Sequence, residues 1–174
     1  MRRLAYGEPV ARTREHDACP GALKVYPSAD GALARIRLPG GAISARQLQA
    51  LARSAARWGS PAMELTSRGN VQIRSVTDPA ALSAALAEAG LLPSPDRERI
   101  RNIVASPLSG RVGSNPDVRP LVAELDAAIR TAPGLTELPG RFLFGIDDGR
   151  GDISGLAPDA GLHLVDDTTV ALVL

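Results

Sequence analysis

Cysteine and aromatic residues are scarce in this sequence of 174 residues, in which aromatic side chains make up 3%. The single cysteine, Cys19, excludes an internal disulfide, and one thiolate cannot by itself hold an iron–sulfur cluster or a structural zinc ion. No apolar run is long enough for a membrane-spanning helix, and Arg2 and Arg3 are not followed by the apolar stretch of a signal peptide. We therefore expect a cytoplasmic protein that folds without a disulfide or a metal.

An excess of either charge is also missing, since 20 basic residues are balanced by 19 acidic ones and the net charge is +1. This balance gives no bulk field that would recruit nucleic acid or an anionic membrane, so neither is expected as a partner. The hydrophobic content of 44% and the charged content of 22% are typical of a globular protein that is long enough to bury a core.

Polar residues occupy every second position toward the end of the stretch Leu65–Arg74. Side chains of a strand alternate between its two faces, so these residues project together, and two arginines in the stretch Ala32–Leu38 do the same. The polar positions of the two stretches are Arg35, Arg37, Arg68, Asn70, Gln72 and Arg74.

Two neighbouring strands of this kind would form a platform of guanidinium and amide groups. A guanidinium is always charged, and its planar fork matches a carboxylate through two parallel hydrogen bonds. The pattern therefore predicts a polyanionic ligand that carries several carboxylates. The alternative is a solvated sheet face on which Asn70 and Gln72 are cross-strand partners.

The first half of the chain has the element order of a ferredoxin-like α+β unit. Strands are predicted at 32–38, 62–65 and 71–76. A capping box of Ser44 and Gln47 predicts a helix that ends at Gly59, and Asp78 followed by Pro79 predicts a second helix. The apolar positions assigned to the first helix are Leu48, Leu51, Ala52, Ala55 and Trp58.

The second half is less regular. Proline and charge crowd residues 93–120, which predicts a connecting segment rather than core. A third helix is predicted at Arg119–Thr131, followed by strands at 141–146, 161–165 and 169–174, of which the last is apolar and expected to lie in a core. The predicted divisions are a flexible arm at 1–18, a ferredoxin-like half domain at 19–92, a linker at 93–117, and the first part of an incomplete second α+β domain at 118–174.

Five stretches, in order along nearly the whole chain, resemble motifs of the nitrite and sulfite reductase superfamily. They are Asp17–Leu23, Arg35–Gly41, Leu65–Arg74, Arg101–Gly110 and Gly140–Asp152. Within the superfamily, the chain is most similar to the N-terminal half of the precorrin-3B synthases, the monooxygenases of aerobic cobalamin biosynthesis. The resemblance implies an α+β fold: a ferredoxin-like nitrite/sulfite reductase half domain followed by the start of a second α+β domain.

The resemblance also implies roles for particular residues. In the sirohaem reductases that the chain resembles, the arginines at the positions of Arg35 and Arg68 bind the tetrapyrrole or a bound anion. Where those reductases carry two lysines that help to protonate the substrate, this chain has Arg141 and Leu143. Arginine is a poor proton donor, which favours the precorrin enzyme over a six-electron reduction of nitrite or sulfite.

The tetrapyrrole-binding candidates combine the platform with the residues implied by the resemblance. No catalytic residue and no metal ligand is assigned. The candidates are Arg35, Arg37, Arg68, Asn70, Gln72, Arg74, Arg101, Asn102 and Arg141.

The family binds a 4Fe-4S cluster through four cysteines in its C-terminal half, and this chain has none of that half. We therefore expect the chain itself to hold no cofactor, with the cluster and iron present in the complete enzyme. The chain is interpreted as a fragment or a truncated relative whose partners are a precorrin-type tetrapyrrole and a missing C-terminal half or partner chain.

Three functions are compatible with this sequence: part of a precorrin-3B synthase-like oxidoreductase, half of a sirohaem nitrite or sulfite reductase, or a non-catalytic module that binds a tetrapyrrole or docks to a partner. Two smaller features keep a structural alternative. His16 is either an iron ligand or structural, and the carboxylates of Asp147, Asp148 and Asp152 either bind a cation or organise a turn.

Overall fold

The structure is a computed structural model that describes residues 19–166 and 168–174. The predicted arm at 1–18, with His16, lies outside the described residues. Two four-stranded sheets and three α-helices make up the described part. The strands are β1 Tyr26–Ser28, β2 Gly31–Ile36, β3 Met63–Leu65, β4 Val71–Val76, β5 Ile103–Ala105, β6 Phe144–Asp147, β7 Ala160–Leu164 and β8 Val170–Val173. The helices are α1 Ala45–Trp58, α2 Pro79–Glu88 and α3 Arg119–Thr131.

The first sheet has the order β1-β2-β4-β3, and its neighbouring strands are all antiparallel. One face packs on α1 and α2, where Ile36, Ile73, Leu51 and Leu82 are fully buried in one cluster. The alternation of side chains turns the predicted polar residues of β2 and β4 to the opposite face. We call this opposite side, away from the helices, the outer face.

The predicted helix boundaries of this unit are confirmed, and their side-chain caps explain them. Ser44 and Gln47 form the predicted capping box at the start of α1, and the Gly59 N–H closes its end on the Ala55 carbonyl. Asp78 accepts a hydrogen bond from the Ala81 N–H at the start of α2. The apolar stripe of α1 is narrower than predicted, because Leu48 and Ala52 are exposed.

The second sheet has the order β5-β6-β7-β8, with β5, β6 and β7 parallel and β8 antiparallel to β7. Helix α3, which has the predicted bounds, packs Val122 and Ile129 against this sheet. Strand β6 begins at Phe144 rather than at Arg141. Because β5 and β6 are parallel, their carboxyl ends lie next to each other. Ligands often bind at this edge of a parallel sheet.

Two predictions about the second half need correction. Residues 93–117, predicted to be a linker, contain β5, and Ile100 and Ile103 belong to the core beneath α3. Proline and charge suggested a connecting segment, but the strand is only three residues long and too short to give a periodic pattern. Strand β8 was predicted to lie in a core, yet each of its residues is exposed because it forms the edge of the sheet.

In the described ranges, the longest helix has 14 residues, and none is long and apolar enough to cross a membrane.

Candidate anion-binding site

A row of three polar residues crosses the outer face of the first sheet. Arg35 of β2 is directly opposite Gln72 of β4, which is in turn opposite Glu64 of β3. The Gln72 Oε1 accepts hydrogen bonds from Arg35 Nε, at 2.9 Å, and from Arg35 Nη2. The Gln72 Nε2 donates to Glu64 Oε2 at 3.1 Å. Gln72 is thus the cross-strand partner that fixes the orientation of the Arg35 guanidinium.

Carboxylates neutralise one end of the outer face, which we call the Glu64–Arg74 end. Arg74 Nε donates to Glu64 Oε1 at 2.8 Å, and Arg74 Nη1 lies 3.7 Å from Asp30 Oδ2. The hydrogen bond from Arg74 holds the pKa of Glu64 below its usual value. Two carboxylates face the single guanidinium of Arg74, so this end has no unpaired positive charge to offer an anion.

The opposite end, which we call the Arg35–Arg68 end, is cationic. Burial lowers the pKa of Arg35; the charge of Cys19 acts to raise this pKa, and the nearby charge of Arg68 acts to lower it. Within the residues that the structure describes, neither guanidinium contacts a carboxylate, since the Arg35 side chain bonds to Gln72 and Arg68 Nη1 donates to the Arg141 carbonyl at 2.7 Å. Arginines that lie near each other without a carboxylate partner form a candidate anion-binding site.

Arg37 adds a third positive charge beneath this end, although its side chain is inaccessible. It is 4% exposed, and its Nε and Nη2 each donate over 3.1 Å, to the carbonyls of Arg99 and Gly140 respectively. Burial lowers the pKa of Arg37 to about 10, and the charge of Arg35 acts in the same direction. Arg37 therefore stays charged at neutral pH but contributes through its field rather than by contact.

The turn between β3 and β4 presents Arg68. Gly69 has a φ of +68°, and its N–H closes the turn on the Thr66 carbonyl at 3.0 Å. The Thr66 Oγ1 accepts from the N–H groups of both Arg68 and Asn70. Arg68 thus lies on a hydrogen-bonded turn rather than within a continuous strand.

The two amides Asn70 and Asn102 are buried and face each other. Asn70 Nδ2 donates to Asn102 Oδ1 at 2.9 Å, while Asn70 Oδ1 accepts from the Leu38 N–H at 3.0 Å. Asn102 Nδ2 donates to the Phe142 carbonyl at 3.1 Å. This pair joins the first sheet to the second and leaves neither amide at the surface.

Arg101 is also internal. Its guanidinium makes two hydrogen bonds to the carboxylate of Asp126 on α3, at 2.6 and 3.1 Å, and the residue is 5% exposed. Arg101 is predicted from sequence to extend the ligand surface, so that its guanidinium would bind a ligand rather than another residue. The structure gives it a partner on α3, 25 residues further along the chain, which no local pattern indicates.

Beyond Arg68, a cleft of about 450 Å³ separates the turn Ser67–Gly69 from the second sheet. Its walls are mainly apolar, and three of its lining residues are arginines: Arg68, Arg111 and Arg119. The end of β5 and the segment that follows it form the far wall. Sequence reasoning missed Arg111, Arg119 and Glu64, because only the pairing of strands and segments places them beside the predicted residues.

The acidic cluster at the end of β6 organises a loop. Its three carboxylates have ligand atoms within 4.8 Å of one another. Asp147 accepts from four backbone N–H groups; burial acts to raise its pKa, but these hydrogen bonds outweigh burial and lower it to about 2. Asp148 pairs with Arg150 at 2.7 Å, and Asp152 accepts from the Ser106 hydroxyl at 2.6 Å. Each carboxylate is therefore bonded within the protein.

The predicted site residues thus fall into three groups. Arg35 and Arg68 lie at the accessible Arg35–Arg68 end, where the buried Gln72 holds Arg35 and the exposed Arg141 is bonded to Arg68 through its carbonyl. Arg74 lies on the same face but is paired with acids. The side chains that bond inside the fold are Arg37, Asn70, Arg101 and Asn102.

Comparison with known proteins shows what the first unit is similar to. Residues 26–89 match the family described as the nitrite/sulfite reductase ferredoxin-like half domain. A ferredoxin–nitrite reductase of Synechococcus elongatus is 32% identical over 127 residues, which cover 68% of this chain and 25% of that protein. The structure of the Mycobacterium tuberculosis NirA protein superposes with a TM-score of 0.63 at 21% identity, over 81% of this chain and 27% of that one.

These similarities confirm the predicted fold class. Over the described residues the chain has a mixed α and β fold of two sheets and three helices, and its first unit is similar to the nitrite/sulfite reductase ferredoxin-like half domain. It spans about a quarter of the length of the curated relative that it matches.

Proposed function

We propose that this chain supplies the tetrapyrrole-binding part of an oxidoreductase related to the nitrite and sulfite reductases. The observation that carries the proposal is the Arg35–Arg68 end, where two accessible guanidiniums lie together and neither contacts a carboxylate in the described ranges. A tetrapyrrole with carboxylates on its rim would supply the missing negative charge.

In this proposal Arg35 and Arg68 bind and orient the ligand. Gln72 holds Arg35 by its Nε and Nη2, so that Nη1 is the group left to donate to a ligand carboxylate. The turn that carries Arg68 is fixed by Thr66 and Gly69, so little conformational entropy is lost when a ligand binds. Positioning of this kind contributes to catalysis without an acid, a base or a nucleophile in the chain.

The residues of this chain fit a tetrapyrrole but not an iron–sulfur cluster. An iron–sulfur cluster of the expected kind needs four thiolates, and the chain has the single cysteine Cys19, so the cluster ligands would belong to another segment or chain. The guanidiniums of Arg35 and Arg68 do fit a polycarboxylate macrocycle. Such a group, when it carries iron, supplies the redox chemistry.

A second polypeptide segment is part of the proposal, since the chain spans about a quarter of its curated relative. The exposed apolar edge strand β8 supports this, because an uncovered edge of valine and leucine is a template for pairing with further chain. We place the assembled protein in the cytoplasm.

The precorrin-3B synthase-like reaction is the finer proposal. It is supported by Leu143, which stands where the reductase motif has one of its two lysines. Leu143 is buried with Val104 and Ile153, so Arg141 is the only cation at the two lysine positions of that motif. In that reaction dioxygen hydroxylates precorrin-3A with formation of a lactone. The competing proposal, half of a sirohaem-dependent reductase, is supported by the similarity to a ferredoxin–nitrite reductase.

Titration with sirohydrochlorin, the metal-free octacarboxylate, and with its iron complex sirohaem tests both levels of the proposal. We expect the chain to bind sirohydrochlorin, with an affinity that falls as salt rises, and the double variant Arg35→Ala/Arg68→Ala to lose most of this binding. Equal affinity of that variant and the wild type would refute the tetrapyrrole proposal. Turnover of nitrite or sulfite by the chain together with its remaining segment would refute the precorrin proposal and support the reductase.

A further inference from the structure

Arg68 lies between two surfaces, since it belongs to the Arg35–Arg68 end and also lines the cleft in front of the second sheet. We propose that Arg111 and Arg119 form a second carboxylate clamp across this cleft, so that a macrocycle held at the Arg35–Arg68 end extends past Arg68 and is gripped at its far edge. This inference rests on the proposed function and adds residues that neither the resemblance nor the platform pattern indicated.

Arg111 is the stronger member of the clamp. It is exposed at the cleft, and its side chain makes no hydrogen bond or ion pair with any residue in the described ranges. The segment that carries it is nevertheless ordered by internal bonds. The Arg111 N–H donates to the Leu108 carbonyl at 3.0 Å, and the buried Ser109 hydroxyl bridges the Pro116 carbonyl and the Val118 N–H, each at 2.9 Å.

Arg119 is partly neutralised. Its Nε and Nη2 donate to the carboxylate of Asp117, at distances between 2.6 and 3.0 Å, which leaves Nη1 for a ligand. The pair is exposed, with 54% of the Arg119 side chain and 36% of the Asp117 side chain accessible. We therefore expect Arg119 to contribute less than Arg111.

The walls of the cleft determine the class of ligand. Apolar side chains line the second-sheet side, namely Val104, Val118, Val122, Ile153 and Leu156. The residues that line the cleft include three arginines and, over the part of the chain that the structure describes, no carboxylate. An inorganic anion would leave the apolar wall uncovered, whereas a flat apolar ring with an anionic rim matches both features.

Glycines keep the near side of the cleft free of side chains. The turns at Gly41 and Gly69 approach so closely that a Cβ added to Gly69 would lie 3.2 Å from the Gly41 Cα. Both residues have positive φ angles, which glycine adopts without strain. The ring thus meets backbone on the near side and apolar side chains on the far side.

Two porphyrins that differ in the placement of their carboxylates test the clamp on the full chain. Uroporphyrin III carries carboxylates around the whole ring, whereas mesoporphyrin IX carries its two propionates on one edge. We expect Arg111→Ala to weaken uroporphyrin binding about tenfold, the size of one charge-assisted hydrogen bond, and Arg111→Glu to weaken it more. The affinity for mesoporphyrin should change less than about twofold.

The control variant is Arg53→Ala, which removes an exposed arginine of α1 that does not line the cleft and should leave both affinities unchanged. Arg35→Ala is measured in parallel. Weaker uroporphyrin binding by both Arg35→Ala and Arg111→Ala supports the clamp. Weaker binding by Arg35→Ala alone overturns the clamp but not the proposed function, and unchanged binding by both variants overturns both. Equal losses for the two porphyrins with Arg111→Ala would also overturn the clamp.

Discussion

Both ends of the outer face carry arginines, and the ends differ in the groups with which these arginines pair. At the Glu64–Arg74 end the guanidinium of Arg74 lies between two carboxylates, those of Glu64 and Asp30. At the Arg35–Arg68 end the partners are an amide and a backbone carbonyl, which leave the positive charge in place. From this difference we expect arginines on one face to bind an anion only where no cross-strand acid neutralises them.

A third set of arginines, Arg37 and Arg101, serves the fold instead. Arg37 bonds two carbonyls beneath the Arg35–Arg68 end, and Arg101 pairs with Asp126. Arg37 and Arg101 are therefore not available to a ligand, and only the accessible arginines distinguish the two ends.

The largest expected effect is on stability, from Arg101→Ala. Removing this guanidinium leaves the mostly buried carboxylate of Asp126 without its main partner, which should lower the free energy of unfolding by about 3–5 kcal/mol. Urea denaturation measures this loss. The double variant Arg101→Ala/Asp126→Ala should recover part of it. A stable Arg101→Ala variant with weakened sirohydrochlorin binding would instead make Arg101 a ligand residue.

A smaller loss of stability is expected from Asn70→Ala. The change leaves the Leu38 N–H and one side of Asn102 unsatisfied in a buried place, at a cost of about 1–3 kcal/mol. Asn102→Ala should cost a similar amount, and the effects of the two changes should not add, because they break one network. Thermal unfolding of the single and double variants checks this. Additive losses would mean that the two amides act separately.

The net negative charge of the Glu64–Arg74 end can be removed by Glu64→Gln, which leaves Arg74 with the carboxylate of Asp30 alone. The change removes the acid that pairs with Arg74, so sirohydrochlorin should bind roughly two- to fivefold more tightly at low salt. Because Arg74 lowers the pKa of Glu64, the wild-type pair persists when the pH falls from 7 to 5 and is lost at a lower pH than the charge of an unpaired glutamate. Over that pH interval the ratio of the two affinities should stay constant, and a ratio that falls to one by pH 5 would contradict the pairing.

Local rules predicted much of the first unit from sequence. The capping box at Ser44, the Asp78–Pro79 start and the strand alternation are set by neighbours in the chain, and the helix ends agree with the structure. Arg35 and Gln72 lie opposite each other on neighbouring strands and their side chains meet on one face, as the alternation predicts.

The remainder depends on contacts between distant residues. Glu64 meets Arg74 only through the β3–β4 register, and Asp126 meets Arg101 only through the docking of α3. Strand β5 is short and follows a proline-rich stretch, and the exposure of β8 is a consequence of its position at the sheet edge. Each of these features is a property of tertiary packing, which overrides or lies beyond local pattern.

The most direct measurement is the sirohydrochlorin affinity of Arg35→Ala beside that of Arg74→Ala, since the two arginines share a face, a residue type and a sheet. We predict a loss of about 10- to 100-fold for Arg35→Ala, the range for a hydrogen bond to a charged group, and a change of less than about twofold for Arg74→Ala, which is already paired. Far-UV circular dichroism confirms that both variants fold. Equal losses in the two variants, or a larger loss with Arg74→Ala, would contradict the account.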